Sequence, residues 1–258
     1  MCLILWAHAC HPRYRLILAA NRDEFYRRPT TAAAYWPECP GVLGGRDLQA
    51  GGTWLAVSRS GRLAALTNYR DPSATAPDAF SRGHLVKDFV CGTAPPASYL
   101  EAVHRRRAAY NDFNLVVAEG EQMWYLGSRG QAPRPVAPGI HGLSNHLIDT
   151  PWPKVAGGKA ALARLAADDE VAPDSLLALL TDRRQPEDSQ LPDTGMGLEW
   201  ERRLAPRFIV SPQYGTRSST ALLVTHQGRA TFSEWTFAPG VDPPAVAGRR
   251  CFKMLLER

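Results

Sequence analysis

The sequence has no long apolar run, and none approaches the roughly 18 consecutive residues that a membrane-spanning helix needs. The apolar segment at its start is too short for a secretory signal and follows no basic residues, so we expect a cytoplasmic protein without a membrane span. A basic stripe with stacking aromatic residues is also missing, which argues against nucleic-acid binding. The formal net charge is nevertheless +5, and such a mildly basic protein favours anionic small molecules.

The cysteines do not show the regular pairing pattern of a disulfide-stabilised domain. There are five of them, the number is odd, and no CxxC pair occurs. The spacing fits neither a disulfide scaffold nor a zinc ribbon, and reduced thiols suit the expected location. Phosphate-binding loops are missing too, since the glycines form no GxGxxG pattern. Two weaker alternatives stay open: a metal held by His8-Cys10-His11 and a haem contact at Cys39-Pro40.

The first two dozen residues predict an antiparallel hairpin that ends on polar side chains. Apolar runs at 3–7 and 16–20 flank a proline-containing break, which is the pattern of two strands joined by a turn. If the turn is centred near Pro12 and Arg13, Cys2 lies opposite Asp23, within a residue or two. A thiol would then lie beside the polar segment Asn21-Arg22-Asp23-Glu24.

The rest of the chain shows strands and helices in separate blocks. A second hairpin turns at Ser60-Gly61 and brings Thr53 near Asn68. Residues 26–45 and 182–197 are predicted to be loops. Helical patterns cover 81–90, 97–110, 154–166, 174–181 and, at the end of the chain, 251–256. This order favours an α+β fold, in which helices cover antiparallel sheets, and a single domain over residues 1–258.

The segment Asn21-Arg22-Asp23-Glu24 is similar to the tetrad that names the NRDE family, also called the transport-and-Golgi-organisation family. Four further motifs extend the resemblance in the expected order: Gly51-Gly52-Thr53-Trp54-Leu55, Leu66-Thr67-Asn68-Tyr69-Arg70, Gly142-Leu143-Ser144-Asn145 and Tyr214-Gly215-Thr216-Arg217-Ser218-Ser219-Thr220. That family in turn resembles N-terminal-nucleophile (Ntn) hydrolases of the cysteine type. The resemblance implies a four-layer αββα sandwich with antiparallel sheets.

The same resemblance implies roles for individual residues. Cys2 matches the nucleophile, which such enzymes expose by removing the initiator methionine. Its α-amino group would be the base for its own thiol, held by a carboxylate of the tetrad. The catalytic set is Cys2, Arg22, Asp23, Glu24, Asn68, Asn145 and Arg217, in which the two asparagines would stabilise an oxyanion and the arginines would favour a thiolate. The substrate-binding set is Asn21, Thr53, Trp54 and Tyr69. Glycines 51 and 52 would let a substrate approach the backbone. No metal-binding residue is assigned.

Two functions follow as hypotheses. The first is a thiol-dependent hydrolase of a small amide or ester, acting through an acyl-Cys2 intermediate. The second is a non-catalytic protein, because the resemblance implies links to haem trafficking and to lipid or acyl-CoA handling. Its ligand would be anionic and partly apolar; no cofactor is required, and haem is a possible ligand. Structural alternatives also stay open: Cys2 as a core residue, Asn68 and Asn145 as turn residues, and Arg217 as a surface residue.

Overall fold

The computed structural model describes residues 2–257, which form two antiparallel sheets and five α-helices. The strands are β1 Cys2–His8, β2 Tyr14–Phe25, β3 Thr30–Trp36, β4 Cys39–Asp47, β5 Leu55–Ser58, β6 Arg62–Asn68, β7 Phe113–Glu119, β8 Gln122–Gly127, β9 Arg134–Pro135, β10 Gly139–Leu143, β11 Tyr214–Thr225, β12 Arg229–Phe237 and β13 Val246–Leu255. The helices are α1 Gly83–Cys91, α2 Pro96–Arg105, α3 Pro153–Leu165, α4 Pro173–Leu179 and α5 Leu198–Leu204.

The two sheets pack face to face. One has six strands in the order β10-β1-β2-β11-β12-β13, and the other has seven in the order β3-β4-β5-β6-β7-β8-β9. Side chains alternate along β1 and β2, so Ile4 and Leu18 enter the core between the sheets, while Leu5 and Ile17 enter a core against α3 and α4. A third core lies between the seven-stranded sheet and helices α1 and α2. The layers therefore run αββα, as the resemblance implies.

The first hairpin pairs Cys2 with Arg22, one residue from the predicted Asp23. β1 lies between β2 and β10, so the strand that begins at Cys2 is hydrogen-bonded on both sides. The second hairpin pairs Leu55 with Ala65 across the predicted turn. Proline or glycine between apolar runs predicts both turns, and the observed strand pairing lies within one residue of that prediction.

Two segments differ from the sequence-based expectation. Residues 26–45, predicted to be a loop, contain most of the hairpin of β3 and β4, with Pro37 in the connection. Residues 251–256, predicted to be a helix, lie mostly in edge strand β13, which pairs with β12 from Leu255 to Val246. Both segments are extended because they pair with an adjacent strand, β3 with β4 in an irregular register and β13 with β12, and local periodicity does not show such pairing.

The expectation of reduced cysteines also needs correction. Cys39 on β4 is bonded to Cys91 at the end of α1, with their Cα atoms 6.1 Å apart. The two residues are 52 positions apart in sequence, so spacing gives no hint of the bond. Cys2 is free and buried, whereas Cys10 and Cys251 are free and exposed. Across residues 2–257, none of the helices has the length and apolar character needed to cross a membrane.

Candidate functional site

A cavity of about 580 Å³ opens between the sheets where β1 begins and β2 ends. It collects most of the residues that the sequence predicted for the site, although they come from distant parts of the chain. Those that line it are Cys2, Arg22, Asp23, Glu24, Thr53, Trp54, Asn68 and Arg217. The remaining three, Asn21, Tyr69 and Asn145, do not line it.

Cys2 lines the cavity and is 8% exposed. Burial raises the pKa of its thiol, and the nearby charge of Asp23 raises it further. The positive charge of Arg22 acts in the opposite direction and lowers the thiol pKa. The carbonyl oxygen of Cys2 accepts a hydrogen bond of 3.1 Å from the Ser144 hydroxyl. Burial therefore dominates, and the thiol is kept mainly in its neutral form.

The tetrad at the end of β2 divides its side chains between two faces of the sheet. Because side chains alternate, Arg22 and Glu24 face the cavity, while Asn21 and Asp23 face the helical layer. Asn21 is fully buried there, and its Nδ2 donates to the carbonyl oxygens of Leu180 at 3.0 Å and Arg207 at 2.7 Å. Asn21 thus fastens the segments after α4 and α5 to the sheet, and its position does not support the predicted contact with substrate.

Asp23 contributes to the cavity lining, although its side chain is directed to the helical layer and the residue is 1% exposed. Its Oδ1 accepts a hydrogen bond of 2.7 Å from the Thr216 hydroxyl on β11. Burial raises the pKa of this carboxyl, against the lowering effect of the buried Lys154. Burial in turn lowers the pKa of Lys154 to about 8, and its Nζ donates to the carbonyl oxygen of Leu204 at 3.0 Å. The predicted role of a tetrad carboxylate in holding the amine of Cys2 depends on removal of Met1, which lies outside the described residues.

A buried ion pair lies near Asp23 and Lys154. Arg70, which ends the third motif, forms an ion pair with Glu201 of α5, and both side chains are almost fully buried. The Arg70 guanidinium also lies over the ring of Trp152, 4.7 Å from its centre. Glu201 accepts further hydrogen bonds from the backbone N–H and the hydroxyl of Thr194. This pair anchors α5 and the preceding loop to the segment that follows β6.

Arg22 differs from every other arginine of the cavity wall. It pairs directly with Cys2 in the ladder and is half-buried. Within residues 2–257 its guanidinium makes no ion pair and no hydrogen bond. The other cavity arginines are each held by the protein itself: Arg28 by Asp47, Arg46 by Glu38 and the carbonyl of Gly51, Arg82 by the carbonyl of Asp112, and Arg217 by backbone carbonyls. Arg22 is thus the cation that remains available to a ligand.

Arg217 occupies an irregular position on β11. The ladder pairs Thr216 with Asp23 and Ser218 with Arg22, so Arg217 is the extra residue of a β-bulge. Its Nη1 donates to the carbonyl oxygens of Phe25 at 3.1 Å, Tyr26 at 3.3 Å and Arg28 at 3.0 Å. Arg217 therefore holds the turn after β2, whereas the positive side chain that acts on the thiol is Arg22.

The two predicted oxyanion asparagines contact each other. Asn145 is fully buried, and its Nδ2 donates to the carbonyl oxygen of Asn68 at 2.9 Å. The Ser144 hydroxyl lies 3.1 Å from both the Asn145 Oδ1 and the carbonyl oxygen of Cys2, so its one hydrogen is shared between these two acceptors. This chain of hydrogen bonds joins the end of β6 in one sheet to the start of β1 in the other. One of the two Nδ2 hydrogens of Asn145 is therefore already used within the protein.

The predicted substrate-binding residues are divided. Thr53 and Trp54 line the cavity, and the Thr53 hydroxyl donates to the carbonyl oxygen of Gly45 at 2.6 Å. Tyr69 lies elsewhere, with its ring packed on His146 at 5.0 Å between centres. Gly52 also differs from expectation, because a Cβ there would lie 2.5 Å from the backbone carbon of Gly83. Its missing side chain lets the start of helix α1 approach the segment before β5, and a ligand has no part in that contact.

Glu234 is a cavity residue that the sequence analysis missed. It lies on β12, is 2% exposed, and its Oε1 accepts a hydrogen bond of 2.7 Å from the backbone N–H of Ala33. Burial raises the pKa of this carboxyl to about 7. The only sequence signal was a carboxylate between the aromatic residues Phe232 and Trp235 of one strand. Near neutral pH Glu234 is able to donate as well as accept a hydrogen bond.

The two weaker sequence alternatives are not supported. Among residues 2–257 no group of three or more His, Cys, Asp or Glu side chains is placed to hold a metal ion. His11 instead shapes the first turn, since its Nδ1 accepts hydrogen bonds from the backbone N–H of Arg13 at 3.0 Å and of Tyr14 at 3.2 Å. The sulfur of Cys39 is bonded to Cys91, so it is not a free haem ligand.

Comparison with solved structures identifies the class of fold. A mutant conjugated bile acid hydrolase from Clostridium perfringens has a TM-score of 0.50 at 8% identity, over 100% of this chain and 97% of that one. An N-acylethanolamine-hydrolyzing acid amidase ortholog from Caenorhabditis elegans has a TM-score of 0.48 at 11% identity, over 86% and 92% of the two chains. Together with the αββα layers, the first likeness defines an Ntn-hydrolase-like fold.

Comparison of sequences then identifies the family. The profile described as Transport and Golgi organisation 2 matches residues 1–239. The Transport and Golgi organization protein 2 homolog of Bos taurus is 40% identical over 264 residues, which cover 94% of this chain and 95% of the bovine protein. The human homolog is 39% identical, over 91% and 92% of the two chains. The Drosophila melanogaster protein is 31% identical, over 94% of each. The chain belongs to the Transport and Golgi organisation 2 family.

Proposed function

We propose that the protein binds a small anionic organic molecule in the cavity beside Cys2, and that Arg22 recognises its negative charge. The main support is that the guanidinium of Arg22 faces the cavity and forms no ion pair or hydrogen bond with any of residues 2–257. A half-buried cation without a partner is unfavourable, and a carboxylate or phosphate would supply the missing charge and acceptor oxygens. The same group lies opposite Cys2 in the ladder, so a ligand bound there would contact the thiol.

The rest of the cavity supports a ligand that is partly apolar. Trp54, Leu66, Phe80 and Phe237 line it beside the charged groups. Its volume of about 580 Å³ lies within the roughly 300–1,000 Å³ typical of sites for organic ligands. Haem and an acyl-CoA both combine anionic groups with apolar surface, and we propose them as the ligands to test first. The proposal includes a cytoplasmic location and no required cofactor.

Titration of the purified protein with haemin and with palmitoyl-CoA tests this function. We expect saturable binding of at least one of them at micromolar concentration, and binding about ten- to a hundredfold weaker in Arg22→Gln, which loses a charge-assisted contact. Arg27→Gln is the matched control, because Arg27 is exposed, lies near Arg22 in sequence and does not line the cavity. The proposal fails if neither ligand binds, or if the two variants bind equally well.

A thiol-dependent hydrolase is the second candidate function. The position of Cys2 and Asn68 in the lining of the cavity favours it. The raised pKa of the thiol and the hydrogen bond between Asn145 and Asn68 make it the weaker of the two. The step would be attack of Cys2 Sγ on an acyl carbon, loss of the amine or alcohol, and hydrolysis of the thioester by water.

A mass measurement separates the two functions. With a panel of small phenyl esters and anilides, the hydrolase predicts an acyl adduct on Cys2 and no turnover by Cys2→Ala. Undiminished turnover by that variant would exclude the thiol mechanism. If the protein is a non-catalytic ligand-binding protein, Cys2→Ala is expected to bind haemin or palmitoyl-CoA as the unmodified protein does, because Arg22 is unchanged. Intact mass of the same samples also reports whether Met1 is retained.

A further inference from the structure

A second cavity, of about 250 Å³, lies between the two sheets at the far end of β1 from Cys2. Its walls are the apolar side chains of Leu16, Val57, Leu63, Met123 and Val224, all of which belong to the core between the sheets. The two cavities share no lining residue. β1 spans from one to the other, and at about 3.4 Å per residue they lie roughly 20 Å apart.

Arg15 reaches this cavity because of a β-bulge. The ladder between β2 and β11 pairs Leu16 with Val224 but Tyr14 with Thr225, so Arg15 is an extra residue on β2. In a regular strand the side chain before Leu16 would face the helical layer. Here Tyr14 occupies that core instead, and Arg15 lines the cavity between the sheets. A bulge at the end of a strand commonly turns a side chain in this way.

The guanidinium of Arg15 has no partner of its own. Across residues 2–257 it forms no ion pair and no hydrogen bond, although the side chain is half-buried. Burial lowers its pKa, and the exposed carboxylate of Glu121 on the cavity rim acts in the opposite direction without pairing with it. Of the two histidines in the wall, His226 is bonded to the carbonyl oxygen of His11 at 3.0 Å, and burial lowers the pKa of His8. Near neutral pH Arg15 is the cation of this wall.

We propose that this cavity is a second ligand site, which binds a medium-length, unbranched monocarboxylate with its carboxylate on Arg15 and its chain along Leu16, Leu63 and Val224. The planar guanidinium matches a carboxylate through two parallel hydrogen bonds. The apolar walls favour an alkyl chain and would leave further polar groups without partners. The volume is slightly below the usual range for organic ligands, so the occupant is smaller than the one proposed for the first cavity.

The test uses sodium decanoate and the intact protein labelled with ¹³C at its methionine methyl groups. Calorimetry is expected to show saturable binding of one decanoate at the second cavity. In the NMR spectrum the methyl signal of Met123, which lines the cavity, is expected to move, whereas that of Met196, which packs near Tyr214, is expected to stay. 1-Decanol, which has the same chain without the charge, is expected to bind at least tenfold more weakly.

Two variants and one control locate the site. Arg15→Gln removes the charge, and Ala118→Leu fills the space, since Ala118 lines the cavity; each is expected to weaken decanoate binding about tenfold or more. Ala118→Leu keeps the charge, so its loss of binding cannot come from electrostatics. Arg13→Gln is the control, because Arg13 pairs with Glu170 on the surface and lies outside the cavity. Thermal unfolding of each variant shows that it is folded.

The outcomes divide cleanly. The proposal is supported if both cavity variants lose affinity, the control keeps it and the Met123 signal moves. It is overturned if decanoate does not bind, if decanol binds as well as decanoate, or if Arg22→Gln alone abolishes binding, which would place the ligand in the first cavity. Because the test does not depend on haemin or palmitoyl-CoA, its failure leaves the proposed function untouched.

Discussion

The buried ion pair between Arg70 and Glu201 makes a sharp prediction about stability. Both side chains are almost completely buried, at 2% and 3% exposure. Arg70→Met leaves the carboxylate of Glu201 in the interior without its cation, a change that typically costs about 3–5 kcal/mol. The two hydrogen bonds from Thr194 remain and reduce the cost, while the loss of the contact between Arg70 and the ring of Trp152 adds to it. We expect a loss of about 3–5 kcal/mol in the free energy of unfolding.

Thermal and urea unfolding measure this loss. For a chain of this size, each 1 kcal/mol lowers the Tm by roughly 2–4 °C, so Arg70→Met is expected to lower it by roughly 6–20 °C. The double variant Arg70→Met/Glu201→Leu removes both charges and is expected to recover most of the loss. Arg202→Met, which breaks a pair exposed on the surface of α5, is the control and is expected to leave the Tm unchanged. A loss below 1 kcal/mol for Arg70→Met, or no recovery in the double variant, would refute the reasoning.

Three further predictions concern the first cavity and its surroundings. Burial raises the pKa of the Glu234 carboxyl from 4.5 to about 7. Between these two pH values the folded protein therefore keeps a proton that the unfolded chain releases. The free energy of unfolding is expected to fall by up to roughly 3 kcal/mol as the pH rises from 4.5 to 7. Native alkylation followed by mass spectrometry is expected to label Cys10 and Cys251 quickly and the buried Cys2 slowly. Gly52→Ala is expected to destabilise by about 1–3 kcal/mol in urea unfolding, because its Cβ would lie 2.5 Å from a backbone carbon of helix α1.

Each of these predictions has its own control. Glu234→Gln keeps an acceptor for Ala33 and is expected to flatten the fall in stability between pH 4.5 and 7; an unchanged slope would assign that fall to other groups. Rapid labelling of Cys2 in the folded protein would show that its thiol is more accessible or more acidic than the burial implies. Gly157→Ala is the control for Gly52→Ala, because a Cβ at Gly157 would have no atom within 4 Å. Equal destabilisation by the two variants would show that the close approach of α1 does not explain the effect at Gly52.

The sequence predicted the fold well where the signal was local or specific to a family. The hairpin that starts at Cys2 and the αββα layers followed from turn residues and from the five motifs. The edge strand β13 did not, because its partner β12 supplies the hydrogen bonds that keep it extended. The bond between Cys39 and Cys91 could not be predicted either, since it depends on the packing of α1 against β4.

Most of the residues predicted for the site line one cavity, but their contacts differ from those that the sequence suggested. Side-chain alternation along β2 was visible in the sequence, and it would have separated Asn21 from Arg22. The bulge that turns Arg217 toward the turn after β2 was not visible, because it arises from the pairing of two strands almost 200 residues apart. No sequence pattern shows that Arg22 is the cavity arginine available to a ligand, because this depends on the partners that hold the other four arginines.

The two bulges of the β2–β11 ladder have a consequence for deletion variants. On either side of Arg15 and of Arg217 the strands already pair in a regular register, so each arginine is an insertion that the sheet has absorbed. Omitting Arg15 would join Tyr14 directly to Leu16, opposite Thr225 and Val224, with both side chains still in their present layers. Shortening the chain here by one residue should straighten β2 against β11, but it also removes the carbonyl oxygen that accepts a hydrogen bond of 2.9 Å from the backbone N–H of Ala9, so the turn between β1 and β2 would have to adjust.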